Sequence, residues 1–191
     1  DGTLLNRERK ITKYTQNVIK KAMAQGVYFV PATGRAVNAL PPELKEMEGI
    51  RYGIFSNGAT IYDLKEEKVI YKNHFEMDRV LELMDFLKQF DLMESISLNG
   101  QSYANKKEME NIDYYELDSN TKAIVQGSRV LVDDLEMFVK EQSTTVEKTT
   151  LLFKTMEERR RAADALSKIE DIQFSSSLPK NLEISKKGCN K

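Results

Sequence analysis

The chain has 191 residues, enough for one large domain or two small ones with a real core. Its 40% apolar and 31% charged residues are ordinary for a globular protein, and a formal net charge of −1 excludes a general basic field for nucleic acid. One cysteine and one histidine exclude an internal disulfide and a Cys/His zinc site, and no apolar run approaches the ~18 residues of a membrane helix.

In chain order, Ile11, Tyr14, Val18, Ala22 and Met23 recur at helical spacing, predicting an amphipathic helix from Ile11 to Gln25 that stops at Gly26. Val27 to Val30 is an unbroken apolar run of the kind found in buried parallel strands. The loop Pro31-Ala32-Thr33-Gly34-Arg35 follows, then a helix from Ala36 to Met47 that Pro41-Pro42 breaks or offsets. Tyr52 to Phe55 reads as another strand, ending at Ser56-Asn57-Gly58-Ala59. This rhythm predicts a doubly wound α/β sheet.

The pattern then changes. Thr60 to Tyr62 and Val69 to Tyr71 flank a polar stretch and predict an antiparallel hairpin. Met77 to Phe90 is expected to be a helix with Val80, Met84 and Leu87 on its buried face, and Phe86, Phe90 and Met93 read as core. Ser95 to Leu98 and Ser102 to Ala104 predict a second hairpin turning at Asn99-Gly100. Lys106 to Gly127 is polar and gives no clear element. A helix from Leu135 to Gln142, a strand at Thr150 to Phe153, a helix from Met156 to Ile169 and strands at Ile172 to Ser176 and Leu182 to Ser185 complete the chain. This second region is α+β and has the look of an insertion.

Four segments stand out: Asp1-Gly2-Thr3-Leu4-Leu5, Pro31-Ala32-Thr33-Gly34-Arg35, Ser56-Asn57-Gly58-Ala59, and Leu182-Glu183-Ile184 followed by Gly188-Cys189-Asn190-Lys191. Together, in this order, they resemble the haloacid dehalogenase superfamily, and within it the Cof-type phosphatases with a subclass IIB cap. The resemblance implies a partial Rossmann-like core with an inserted α+β cap: residues 1–75 as core, 76–186 as cap, and 187–191 as re-entry into the core. It also implies an Asp-x-Asp-Gly-Thr loop after the first strand, with Asp1 as its second Asp, and a motif set cut at both ends of the chain. Its nucleophilic Asp would lie two residues before Asp1, and an acidic metal loop beyond Lys191. On that reading the 191-residue stretch alone is inactive.

The implied chemistry is hydrolysis of small phosphate monoesters, such as sugar phosphates, through an aspartyl-phosphate, with Mg²⁺ masking charge repulsion. Asp1 is then the general acid and base and, through its carbonyl, a magnesium ligand; standing alone it would read as an Asx-turn. Gly2 allows the loop backbone to approach a phosphate. Thr33 is expected to donate its hydroxyl to a phosphoryl oxygen beside the Gly34 amide, or to cap the following helix, or both. Arg35 reaches either substrate phosphate or a structural carboxylate. Lys191 supplies the third motif's ammonium, although the Gly that follows that lysine in the family is not in the chain. Asn57-Gly58 either faces the substrate or is simply a tight turn. His74 reads as a surface or hinge residue, and Cys189 has no base nearby and is no nucleophile.

The expected partner is a small phosphorylated metabolite, with no nucleic acid and no membrane, acting on a cytoplasmic monomer or weak homodimer. Two other readings remain: a phosphomutase that returns the phosphoryl group to another hydroxyl, and an inactive phosphometabolite sensor.

Overall fold

The computed structural model describes residues 4–6, 8 and 10–191. Helix α1 (Lys13–Ala24) starts where the Thr12 hydroxyl accepts the Thr15 amide at 3.2 Å, and it ends before Gly26 at φ +85°. Its buried stripe differs from the expected one. Ile19 faces inward, whereas Tyr14 and Val18 stand exposed. The segment from Ala36 to Met47 divides as its prolines dictate, into a 3₁₀ turn, Val37–Ala39, and the short helix α2 (Pro42–Lys45).

Val27 to Val30 is not a strand. Its extended chain reaches β1 (Tyr52–Phe55) only through a parallel bridge at Ala32 and Ile54, and Val27, Tyr28 and Val30 are exposed. A parallel strand needs a ladder partner to satisfy its backbone. Among the described residues this run has none. β1 pairs instead with β2 (Thr60–Asp63), and β2 with β3 (Lys68–Lys72), in a three-stranded antiparallel sheet. Ile11, Ile19, Leu40, Leu44, Met47, Ile50 and Phe55 form the core beneath it.

Helix α3 (Met77–Leu87) buries Val80, Leu83, Met84 and Leu87, the stripe its spacing predicts plus one. Strands β4 (Leu92–Leu98) and β5 (Gln101–Asn105) form the second hairpin, whose turn residues Asn99 and Gly100 take φ of +49° and +74°. The polar stretch after it holds two helices set by side-chain caps: α4 (Lys106–Glu110) after Asn105, and α5 (Ser119–Gly127) after Asp118. β6 (Val130–Val132) pairs with β5 in parallel, a strand too short to be read from sequence. α6 (Leu135–Lys140), α7 (Met156–Leu166), β8 (Ile172–Ser175) and β9 (Asn181–Lys186) follow close to where expected, and β7 (Val146–Phe153) begins four residues before the strand expected at Thr150.

The second sheet has six strands in the order β6-β5-β4-β7-β9-β8. Pairing registers align Ile96 with Thr149 and Ile184, and Glu94 with Leu151 and Leu182. That face packs against α3, α6 and α7, with Phe75, Leu98, Val139, Phe153 and Leu166 in the same core. Alternation puts Ser95, Ser97, Lys148, Thr150 and Glu183 on the other face. This polar face overlooks the loops that carry the sequence motifs. The two sheets are tied by reciprocal bonds between Phe75 and Val146, at 2.9 and 3.0 Å.

Candidate active site

The loop at Thr33 is pinned to β1 on both sides. Ile54 N–H donates to the Pro31 carbonyl at 2.8 Å, and Thr33 N–H to the Ile54 carbonyl at 2.9 Å. The chain then stitches the two motif loops together, with Ser56 N–H on the Arg35 carbonyl at 2.9 Å and Asn57 N–H on the Thr33 carbonyl at 3.2 Å. Thr33 does not cap a helix. Its Oγ accepts the Arg35 amide at 3.2 Å in a local turn, and its hydroxyl proton has no acceptor among the described residues. Arg35 Nη1 donates to the Ala39 carbonyl at 3.2 Å, and burial lowers the guanidinium's pKa.

Ser56, Asn57 and Gly58 take φ of +49°, +61° and +95° in succession and are all buried. Left-handed backbone at non-glycine residues is costly, and it concentrates where the surroundings over-determine it. The surroundings here are specific. A Cβ at Gly58 would lie 2.1 Å from the Asn190 carbonyl oxygen, and one at Gly34 would lie 2.7 Å from Asn57 Oδ1. Asn57 Nδ2 donates to Glu183 Oε2 at 2.7 Å. Ser56 Oγ donates to Glu147 Oε2, whose other oxygen accepts the Gly100 amide at 2.7 Å. Glu147 is the extra residue where the β4–β7 register slips, and such a bulge interrupts the ladder locally and re-aims the side chain.

Glu183 is the hub of the polar face. Lys148 Nζ donates to its Oε2 at 2.6 Å, and Ser177 Oγ and Asn181 Nδ2 reach its Oε1. Burial alone would raise the carboxyl's pKa, but the Lys148 charge and these donors outweigh it and lower the value to about 2. Burial pulls the Lys148 ammonium down against the attraction of Glu183, and the nearby charges of Arg129 and Lys191 add to the fall.

The structure therefore gathers Thr33, Gly34, Arg35, Asn57 and Gly58 into one patch and lays Asn190, beside Lys191, against it. Lys191 itself is exposed. Asp1 and Gly2 lie outside the described residues. His74 bridges the two sheets, with its ring nitrogens 2.8 Å from Thr60 Oγ1 and 2.9 Å from Thr145 Oγ1, and burial lowers its pKa to about 4. Cys189 is buried against the Asn73 carbonyl, and burial raises its thiol's pKa. Sequence reasoning missed Glu147, Lys148 and Glu183 as members of this patch. Glu147 and Lys148 lie ahead of the strand expected at Thr150 to Phe153, which left no signal for them, and Glu183 served only as a spacing marker for Lys191.

No cluster of three or more His, Cys, Asp or Glu side chains among the described residues could hold a metal ion. The two acids of the patch are already engaged, Glu147 by Ser56 and Gly100 and Glu183 by Lys148 and Asn57. The described residues thus do not by themselves fit a magnesium centre. Nor is any described helix long and apolar enough to cross a membrane.

A family model of haloacid dehalogenase-like hydrolases matches residues 1–191. A protein of Buchnera aphidicola subsp. Schizaphis graminum is 38% identical over 114 residues, which are 58% of this chain and 40% of that protein. The 5-amino-6-(5-phospho-D-ribitylamino)uracil phosphatase YcsE of Bacillus subtilis is 33% identical over 81 residues, 40% of this chain and 32% of that protein. The matched stretch is thus less than half the length of either relative. A solved haloacid dehalogenase-like hydrolase from B. subtilis superposes with a TM-score of 0.82 at 20% identity, covering 100% of this chain and 72% of its own. A solved subclass IIB sugar phosphatase superposes with a TM-score of 0.73 at 21% identity, covering 100% of this chain and 68% of its own. At those identities the likeness is one of fold.

Proposed function

The chain belongs to the haloacid dehalogenase-like hydrolase family, and from that membership we propose that it is part of a phosphatase for small phosphate monoesters, sugar phosphates or related metabolites. The observation that carries this reading is the Thr33 hydroxyl. Its oxygen accepts the Arg35 amide, its proton is left without an acceptor among the described residues, and its loop is fixed by four backbone bonds beneath a polar sheet face. A neutral donor held in this way suits a non-bridging phosphoryl oxygen.

On this reading residues 1–75 and 187–191 belong to the core and 76–186 to the cap. Thr33 and the Gly34 amide hold the phosphoryl group, and Gly34 and Gly58 keep the loops close enough to do so. Lys191 adds positive charge to the transferring group. Asp1 protonates the leaving alkoxide and then activates water to break an aspartyl-phosphate formed on a carboxylate two residues upstream. The polar face of the six-stranded sheet covers the site and limits water during transfer. A magnesium requirement belongs to the proposal on family grounds, with Asp1 as the one residue of this chain that would hold the ion. The proposed setting is a cytoplasmic monomer or weak dimer with a small phosphorylated substrate.

The test is phosphate release by the full-length protein from a panel of metabolite monoesters, with and without EDTA. Release that requires Mg²⁺ and falls about 100-fold or more in Asp1→Asn supports the reading. No release from any ester, or an Asp1→Asn variant as active as the parent, overturns it.

A further inference from the structure

Arg129 enters the polar face from the short link between α5 and β6. Its Nε donates to Ser95 Oγ at 3.0 Å, and its Nη1 donates to the Val125 carbonyl at 3.0 Å and to Ser128 Oγ at 3.1 Å. Every one of these acceptors is neutral. No described carboxylate lies within ion-pair distance, Glu183 acting only at longer range, and Nη2 makes no hydrogen bond among the described residues. A cation drawn out of water without a countercharge is costly, and burial lowers this one's pKa to about 10. Three neutral contacts hold the guanidinium in place, and no carboxylate among the described residues touches it.

The same arginine lines a cavity of about 400 Å³. Its lining also includes Arg35 at the end of the motif loop, Asn38 and Ala39 of the 3₁₀ turn that follows, Gln101 of β5, and Ser128 beside Arg129. No aspartate or glutamate lines it. Its walls carry the Arg129 and Arg35 guanidinium groups and the Asn38 and Gln101 carboxamides, none of them anionic, while the Ser128 hydroxyl already donates to the Ile124 carbonyl at 2.6 Å. The position matters as much as the charge, because Arg35 follows directly on the Thr33-Gly34 loop. A substrate whose reacting phosphate sits on that loop would extend its other end toward Arg129.

We propose that this cavity is a subsite for a second anionic group, phosphate or carboxylate, at the far end of the substrate, with Arg129 as the residue that selects for it. The inference rests on the phosphatase reading and narrows its substrate class to esters carrying two anions. The planar fork of a guanidinium can meet two oxygens of such a group at once, which a lysine cannot do. The alternative is a purely structural Arg129 that ties α5 to β4. That role would not depend on what the substrate carries at its far end.

Two substrate pairs separate these roles: fructose 6-phosphate against fructose 1,6-bisphosphate, and glucose 6-phosphate against 6-phosphogluconate. Each is measured with the full-length protein as kcat/KM and, independently, as binding by titration calorimetry. The member of at least one pair that carries two anionic groups is expected to be preferred about tenfold or more, and Arg129→Met should bring that ratio to within about twofold of unity. Preference confined to the bisphosphate identifies phosphate as the second anion, and preference confined to the gluconate identifies carboxylate. If Arg129→Met does not fold, Arg129→Lys carries the test, with the ratio expected to fall severalfold. Ratios near one in the parent, or ratios that either folded variant leaves unchanged, overturn the subsite. Turnover without discrimination would sink the subsite alone. Discrimination in binding without turnover of any probe would sink the phosphatase reading and leave the subsite standing.

Discussion

The two faces of the six-stranded sheet are built from the same strands and have opposite chemistry. One buries Ile96, Leu151, Phe153, Leu182 and Ile184 under three helices, each at 2% exposure or less. The other buries Ser97, Lys148, Glu183 and Ser185 where it looks onto the motif loops, and at its far end Met93, Ala104 and Leu152 pack against Met109 of α4 and Val125 of α5. Apolar burial is non-directional and stabilising, so the first face is held by shape alone. Polar burial is favourable only when every group finds a partner, so the polar end of the second is held by specific pairings that also fix where Asn57 and the Gly34 loop lie. The fold thus rests on the first face and on the apolar end of the second, whose other end spends part of that stability on a defined polar geometry.

The largest expected effect lies on the apolar face. Phe153 is fully buried, and Phe153→Ala removes a ring from a close-packed core at a cost of about 3–5 kcal/mol. Urea unfolding should read this as a lower midpoint, while any preference between substrates in the folded variant stays unchanged. A change in substrate preference comparable to the loss in stability would mean that the two faces are not separable.

The polar face should respond differently, through pairs. Glu183→Gln leaves the Lys148 ammonium buried at 8% side-chain exposure without its anion, at a cost of about 3 kcal/mol. Lys148→Met/Glu183→Gln removes the stranded charge, so the double variant is expected to be more stable than Glu183→Gln alone. The sign of the pH dependence follows from the carboxyl. Its folded value is depressed, so the stability it contributes is present above the ordinary carboxylate range and is lost as pH falls toward about 2. Additive single-variant losses in a double-mutant cycle would show that the pair is not coupled.

How legible each face was in the sequence follows from the same contrast. Apolar periodicity located α3, α7, β7 and β9, because a buried stripe has to repeat at the period of its element. The turn at Asn99-Gly100 was legible because few other residues accept its φ values. α4 and α5 were not, since they are fixed by the Asn105 and Asp118 caps rather than by a continuous stripe. Val27 to Val30 had the composition of a strand, but a strand is a relation to a neighbour, and composition does not supply one. Within the site, Thr33, Gly34, Asn57 and Gly58 were legible as motif residues. Glu147, Lys148, Glu183 and Arg129 were not, because their roles come from strand register, a bulge and long-range pairing that spacing cannot reveal.

Glu94 breaks the contrast, and it carries the smallest expected effect. It shares the apolar face with Leu151, its Oε1 is buried with no hydrogen-bond partner among the described residues, and Glu108 and Glu136 face it with like charge. Burial first, and then those carboxylates, raises its pKa to about 8. The folded chain therefore keeps this proton where the unfolded chain has already released it. Stability falls as pH rises from the ordinary carboxylate range to about 8, by at most about 1.4 kcal/mol for each unit crossed. Glu94→Gln removes the titration while keeping the side chain's size. The variant should match the parent near pH 4 and exceed it by about 1–3 kcal/mol at pH 8. Glu108, raised to about 6 chiefly by burial, would leave a shorter fall in the variant, ending near that pH. Thermal melts across this range read the difference directly. Parallel stability curves for parent and variant would mean that Glu94 is solvated or paired in solution and that the apolar face tolerates no buried acid.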